Sequence, residues 1–412
     1  MNEFDRELNQ RLAAIREQGL YRELRCVESA QGPRIRMSGH SLLTFSSNDY
    51  LGLANEPVLK EAAIEALNRY GAGSGASRLI SGSLAPHQEL DETIAEFKGT
   101  EAALAFATGF TTALGVIGSL LGKHDIIVFD KLVHASIVDA ARLSGAKLRV
   151  FAHNDLNGLE EILKWADSRL RNAIVGASRP RVLIVTESVF SMDGDHAPLP
   201  ELVRLKQQFG AWLMVDEAHA TGLYGEHGRG LAEEYGVGQR IELQMGTLGK
   251  AIGAAGGYIS GSRVLVDYLI NRARPFIFST APVPAAAAAA TAGIRFVQSK
   301  AGQERRQTLW ERAGQLGSAL NAPRSALPRA IIPIVIGHET KTVEAANALR
   351  QQGIFVPAVR YPTVARGSAR LRLTLTAAHS EADVAVLAQA LEGLNLVGRA
   401  SQVEGSLDAP AR

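Results

Sequence analysis

Lys250 lies in the run Gly246-Thr247-Leu248-Gly249-Lys250-Ala251, downstream of an apolar stretch that ends in Asp216-Glu217-Ala218-His219. A lysine amine can form a Schiff base, a strand-end carboxylate can face a protonated ring nitrogen, and a nearby imidazole can hydrogen-bond a phenolic oxygen. The small and hydroxyl residues around Lys250 leave room for a phosphate. That set of groups suits pyridoxal phosphate. Asp216 alone reads as a strand-end turn residue; with His219 and Lys250 the chemical reading becomes the better one.

Two rival readings fail on spacing. Asp-x-x-His could be half of a metal site, but no companion His or Cys stands at ligand spacing, so no metal is expected. Gly249-Lys250 resembles the end of a Walker A loop, which needs Gly at 244 and Ser or Thr at 251. Gln244 and Ala251 stand there instead. Gly71-Ala72-Gly73-Ser74-Gly75-Ala76-Ser77 does not match the dinucleotide fingerprint.

The elements that must position these groups read as α/β. The clearest strands are Asp125 to Phe129, Lys147 to Phe151, Val182 to Thr186 and Trp212 to Val215, with helix-length stretches such as Leu156 to Arg169 and Leu199 to Phe209 between them. This spacing predicts a mostly parallel sheet covered on both faces, with ligands met at the carboxyl ends of the strands. Ala281 to Ala292 reads as a buried helix. Beyond it, a charged helix spans Ser299 to Leu320, strand-like runs cover Ile331 to Ile336, Val356 to Val359 and Leu371 to Leu375, and Glu381 to Leu394 is helical. Leu8, Leu12, Ile15 and Leu20 give residues 4 to 25 the period of an amphipathic helix. The expected organisation is an N-terminal arm and helix over 1–55, a large α/β domain over 56–290, a smaller α+β domain over 291–398 and a mobile tail over 399–412.

With 44 basic against 42 acidic residues the chain has a formal charge of +2, which gives no reason to expect nucleic acid or an anionic membrane as partner. Its one cysteine, Cys26, cannot form an internal disulfide. The N-terminus lacks a signal-peptide core, and no stretch is long and apolar enough for a membrane span. A cytoplasmic protein is expected.

Six runs carry a resemblance. They are Phe45 to Leu53 (FSSNDYLGL), Gly73 to Arg78 (GSGASR), Phe151 to Asp155 (FAHND), Val189 to Asp195 (VFSMDGD), Asp216 to Gly222 (DEAHATG), and Pro362-Thr363 through Arg370 to Thr376 (RLRLTLT). In these runs the chain resembles the α-oxoamine synthase family of fold-type-I pyridoxal phosphate enzymes, in the family's order and over nearly its whole length.

The resemblance implies the fold-type-I transferase fold and pyridoxal 5'-phosphate as cofactor. It makes Lys250 the Schiff-base lysine, places Asp216 at the pyridine nitrogen and His219 at the phenolic oxygen, and stacks His134 on the ring. Read without it, His134 would be a helix cap or core histidine. Gly109, Phe110 and Thr247 would hold the phosphate, with Ser191 near the cofactor's oxygen. Arg372, helped by Asn48, would grip an amino acid carboxylate; the alternative for Arg370 and Arg372 is a surface arginine ladder. Arg22 and Thr363 would border the acyl-thioester site, although Arg22 could be a plain helix charge. A homodimer with interfacial sites is implied, in which Ser279-Thr280 reach the neighbour's phosphate; otherwise they are a helix N-cap.

Within the family, the run Ser368 to His379 is closest to the branch that condenses L-alanine with a pimeloyl thioester, on coenzyme A or acyl carrier protein, for biotin synthesis. Leu79, where 5-aminolevulinate synthases resemble each other in carrying an asparagine, argues against a succinyl donor. The alternative is glycine C-acetyltransferase. Tyr361 departs from the proline of many relatives, next to the presumed acyl channel. A pyridoxal-sensing regulator would need an added basic DNA-binding domain, which the short N-terminal arm does not provide.

Overall fold

In a computed structural model, residues 1–170, 179–322 and 325–399 are described. The expected tail beyond Arg399 lies outside the described residues. The chain forms two compact units. Among the described residues, one comprises Leu51–Ser191 with Asp195–Arg306; the other comprises Met1–Tyr50, Met192–Gly194 and the chain from Gln307 to Arg399.

The larger unit is built on a seven-stranded sheet. Its strands run in the order Ala102–Phe106, Gly257–Gly261, Leu243–Thr247, Trp212–Asp216, Val182–Glu187, Ile126–Asp130 and Lys147–Phe151. All pairings are parallel except the two made by Gly257–Gly261. Apolar runs such as Leu183-Ile184-Val185 and Leu213-Met214-Val215 are fully buried, as expected for strands covered on both faces. Strand residues Leu104, Ile127, Leu183, Met214, Leu243 and Ile259 share one core with helix residues Val116, Ile117, Ile137, Val266 and Leu269. Each such side chain contributes about 1.5–3 kcal/mol on burial.

Helices Leu156–Leu170 and Leu199–Gln208 lie where the sequence places them. The alanine-rich helix spans Pro284–Gln298, with Pro284 in its first turn, where a missing amide costs nothing. It packs on Pro57–Tyr70 and Ala85–Lys98. Its N-cap is Val283, so the N-cap alternative for Ser279-Thr280 is corrected: Thr280 forms a β-bridge with Ser77.

In the smaller unit, Arg34–Met37 and His40–Thr44 pair antiparallel, with Ile354–Phe355 added parallel to the second. Ile331–Gly337 and Ala358–Val359 flank Ala369–Thr374, both antiparallel. The strand expected over Val356 to Val359 is thus two short strands, Ile354–Phe355 and Ala358–Val359, because Pro357 lacks an amide for the ladder. The N-terminal helix is also shorter than its periodicity predicts. It spans Glu3–Glu17, capped by Asn2, whose Oδ1 accepts from the Asp5 amide at 2.7 Å. It ends before Gly19, which takes the left-handed φ of 66° that favours glycine after a helix.

Candidate active site

Four neighbouring parallel strands end side by side in Thr247, Asp216, Glu187 and Asp130. In open α/β sheets this edge is where ligands are met. Asp216 is buried at its strand end, and its Oδ1 accepts from the Ala218 amide at 2.9 Å. The turn-residue role is therefore real, and Oδ2 remains for other work. The turn that follows carries buried His219, whose Nε2 lies 2.7 Å from Lys250 Nζ. Burial pushes the Asp216 carboxyl up, and the Lys250 charge opposes that shift.

His134 caps the helix Ala135–Ser144, its Nδ1 lying 2.8 Å from Ser136 Oγ and accepting from the Ser136 amide at 3.3 Å. Its imidazole stays within electrostatic reach of both Asp216 and Lys250. Capping and a place in the site coexist in this residue.

Gly109 and Phe110 open the helix Gly109–Leu120, whose N-cap Thr108 accepts from the Thr111 amide at 3.1 Å. The first amides of a helix have no carbonyl a turn earlier to donate to, and with the helix dipole they suit an anion. Gly257 permits this arrangement: a Cβ there would meet the Gly109 nitrogen at 2.5 Å. Thr247 neighbours Gly109, and its Oγ1 donates to the Gly256 carbonyl at 2.9 Å and accepts from the Gly249 amide at 3.2 Å.

Glu187 joins the site without a motif to announce it; the only sequence signal is an apolar run that ends in an acid. It is buried, it stands opposite Asp216 in the strand register, and its Oε2 accepts from the Ser191 amide at 3.2 Å. Its Oε1 is buried with no hydrogen-bond partner among the described residues. Burial first, then the Asp216 charge, push its carboxyl well above the ordinary glutamate value.

The pair beneath the Asp216 turn is equally silent in the sequence. Lys98 Nζ donates to Glu217 Oε2 and to the Arg229 carbonyl, with both side chains essentially inaccessible. The Ala232 amide donates to Glu217 Oε1 at 2.9 Å. Residues so far apart in sequence leave no spacing signal.

The remaining expected residues lie in the smaller unit. Arg372, buried on Ala369–Thr374, donates to Asn48 Oδ1 at 3.1 Å and to the Tyr50 hydroxyl at 3.3 Å. Amides of Thr374 and Ala377 donate to the carbonyls of Phe45 and Tyr50, each at 2.8 Å, and so hold the Asn48 turn beside this strand. The surface-ladder alternative is corrected for both arginines. Arg370 is buried too, and it is committed to the Asp193 carboxylate, whereas Asn48 and Tyr50 give Arg372 neutral acceptors. Arg22 lies beyond the end of the N-terminal helix, so it is not a helix charge; it donates to the Tyr361 carbonyl at 3.0 Å. Thr363 is exposed two residues on, its amide donating to the Arg360 carbonyl at 3.0 Å.

The aminotransferase class I and II family model matches residues 40–391. The chain belongs to this family of pyridoxal phosphate enzymes. An 8-amino-7-oxononanoate synthase of Geobacter sulfurreducens is 48% identical over 390 residues, covering 93% of this chain and 97% of the relative. Among solved structures, a serine palmitoyltransferase from S. paucimobilis with bound PLP–myriocin aldimine superposes with a TM-score of 0.86 at 27% identity, covering 96% of this chain and 100% of that one. An 8-amino-7-oxononanoate synthase from Francisella tularensis gives a TM-score of 0.69 at 27% identity, covering 86% and 99%. The family's fold-type-I transferase fold and the place among α-oxoamine synthases expected from sequence both hold.

The donor set fits pyridoxal 5'-phosphate. The larger unit offers a helix N-terminus kept open by Gly257, a buried carboxylate pushed up by its burial, and an amine beside a buried imidazole.

Proposed function

We propose that this chain is an acyltransferase that condenses L-alanine with a pimeloyl thioester, with loss of carbon dioxide, to give 8-amino-7-oxononanoate in biotin synthesis. The observation that carries the chemistry is the contact of Lys250 Nζ with His219 Nε2 at 2.7 Å, beside a buried Asp216. The substrates rest on relatives 42–48% identical over most of the chain that share one name.

Bound pyridoxal 5'-phosphate supplies an aldehyde for amines and an electron sink for charge developing at the amino acid Cα. Lys250 would hold it through Nζ, and the same amine, when free and neutral, would take the proton from the amino acid Cα. Asp216 is to keep the ring nitrogen protonated; a cation at that point also relieves the burial cost that pushes this carboxyl up. His219 orients the lysine amine and would hydrogen-bond the phenolic oxygen, while His134 would lie against the ring. Amides of Gly109 and Phe110, with Thr247, take the phosphate. Ser191, fastened through its amide to Glu187, presents its hydroxyl to the cofactor's oxygen. Arg372 offers its guanidinium to the substrate carboxylate, with Asn48 fixing its orientation. Arg22 and Thr363 border the acyl donor, carried on coenzyme A or acyl carrier protein.

The same reading makes the enzyme a cytoplasmic homodimer, with Ser279-Thr280 meeting the neighbour's phosphate. Among the described residues no helix is long and apolar enough to cross a membrane. Turnover of L-alanine, glycine and L-serine against pimeloyl, acetyl, succinyl and palmitoyl thioesters tests the reading. Preference for glycine with the acetyl donor would replace it with glycine C-acetyltransferase.

A further inference from the structure

The run Phe151 to Asp155 is absorbed by none of these roles, yet it contains an imidazole engaged at both nitrogens by carboxylates. His153 Nδ1 lies 3.1 and 3.2 Å from the two carboxylate oxygens of Asp130, and Nε2 lies 2.7 Å from Asp195 Oδ2. An ionised carboxylate can only accept, so both ring nitrogens must carry hydrogen. Burial opposes that charge, but the hydrogen bonds and charges of Asp130 and Asp195 outweigh it and hold the imidazole up to about 10. These two carboxylates are the charged groups that face the ring. The Phe190 ring meets it edge-on at 4.3 Å.

Each carboxylate is in turn fastened to a segment that carries a site residue. Asp130 Oδ1 accepts from the Leu132 amide and Oδ2 from the Asn154 amide, both at 2.8 Å. The Val133 amide returns to the Asp130 carbonyl at 3.2 Å, which closes the turn that leads into His134. On the other side, the Asp195 carbonyl accepts from the Phe190 amide at 3.0 Å, next to the Val189–His196 bridge and directly before Ser191. Asn154 Nδ2 adds bonds of 3.2 Å to Asp195 Oδ2 and to the His196 carbonyl.

We infer that His153 is a positioning residue: as an imidazolium shared between Asp130 and Asp195, it ties the turn presenting His134 to the turn presenting Ser191. The inference deepens the proposed function and rests on the roles assigned there to His134 and Ser191. A neutral ring would donate to one carboxylate and set its lone pair against the other. Charge, more than shape, is therefore what joins the two turns.

The test uses the cofactor-loaded protein. Ring nitrogen-15 spectra, assigned by comparison with His153→Gln, are expected to show both nitrogens of His153 still protonated at about pH 8.5, two units above an ordinary histidine. His153→Gln keeps hydrogen-bonding capacity but not charge, and is expected to lower kcat about tenfold or more with little change in the KM for amino acid. In the double variant with Ser191→Ala, the two losses should not multiply, because one acts through the other. A ring that loses a proton near pH 7, or losses that multiply (a silent Ser191→Ala included), overturns the inference. Wild-type turnover in the same assays reads the proposed function separately, so the two can fail independently.

Discussion

Glu187 and Asp216 stand opposite each other at the ends of two adjacent parallel strands, both buried, with the Lys250 charge acting on both carboxyls. Two carboxylates so placed do not both ionise readily. Burial and the Asp216 charge push Glu187 well above the ordinary glutamate value, so it is the carboxyl expected to keep its proton.

That assignment fixes a pH dependence. A carboxyl whose folded value is raised stabilises the fold fully below its unfolded value, 4.5 for an ordinary glutamate, and loses that contribution as the pH rises toward the folded value. Glu187→Gln supplies a permanently neutral, similarly shaped side chain. Its melting temperature is expected to fall less than the wild type's between about pH 4.5 and 8, with the amide of Ser191 still bonded. A variant whose pH slope matches the wild type's would mean that Glu187 is ionised.

Lys250→Ala is expected to lose both turnover and the absorbance near roughly 420 nm that an imine of the cofactor gives, since Lys250 is the amine that the fold brings to His219. Mass spectrometry after borohydride treatment locates the adduct. Finding it on another lysine, or finding turnover intact, sinks the assignment of Lys250.

For Asp216→Asn the expectation is different: the cofactor is retained but kcat falls by about a hundredfold or more. The neutral amide cannot keep a ring nitrogen protonated, while the Ala218 amide can still bond its oxygen. Cofactor titration by fluorescence separates this from a failure to bind. A rate within a few-fold of wild type would remove Asp216 from the electronic role.

The triad Asp216, His219 and Lys250 is legible in the sequence because its chemistry is unusual and its members lie on short, punctuated segments. The parallel strands Ile126–Asp130, Val182–Glu187 and Trp212–Asp216 are legible because each opens on a continuous apolar run. Gly257–Gly261 is not, since Gly257 serves the close approach of Gly109 and Gly261 that of the Glu242 carbonyl, and the two glycines hide the strand signal. Periodicity overextends the N-terminal helix because Leu20 continues the pattern past Gly19, and a backbone with φ of 66° overrides it. Arg370 and Arg372 look equivalent by alternation; only the Asp193 carboxylate, brought to Arg370 by the fold, separates them.

The proposed function assigns Arg372 to the substrate carboxylate. Arg372→Lys keeps the charge but loses the planar fork, so the KM for amino acid is expected to rise about tenfold to a hundredfold, with kcat less affected. Steady-state kinetics with L-alanine as the varied substrate checks this. An unchanged KM would free Arg372 from carboxylate binding and leave it a structural partner of Asn48 and Tyr50.

Stability should depend most sharply on Lys98 and Glu217. Burial alone would pull the lysine down, but the Glu217 carboxylate holds it above its ordinary value, so the lysine stays charged in a dry site. Lys98→Met removes one charge and leaves the other buried against the Ala232 amide, which is expected to cost about 3–5 kcal/mol in urea unfolding. Adding Glu217→Gln should recover part of that loss, because the orphaned charge disappears with it. If Lys98→Met costs less than about 1 kcal/mol, water or a rearranged turn must reach Glu217.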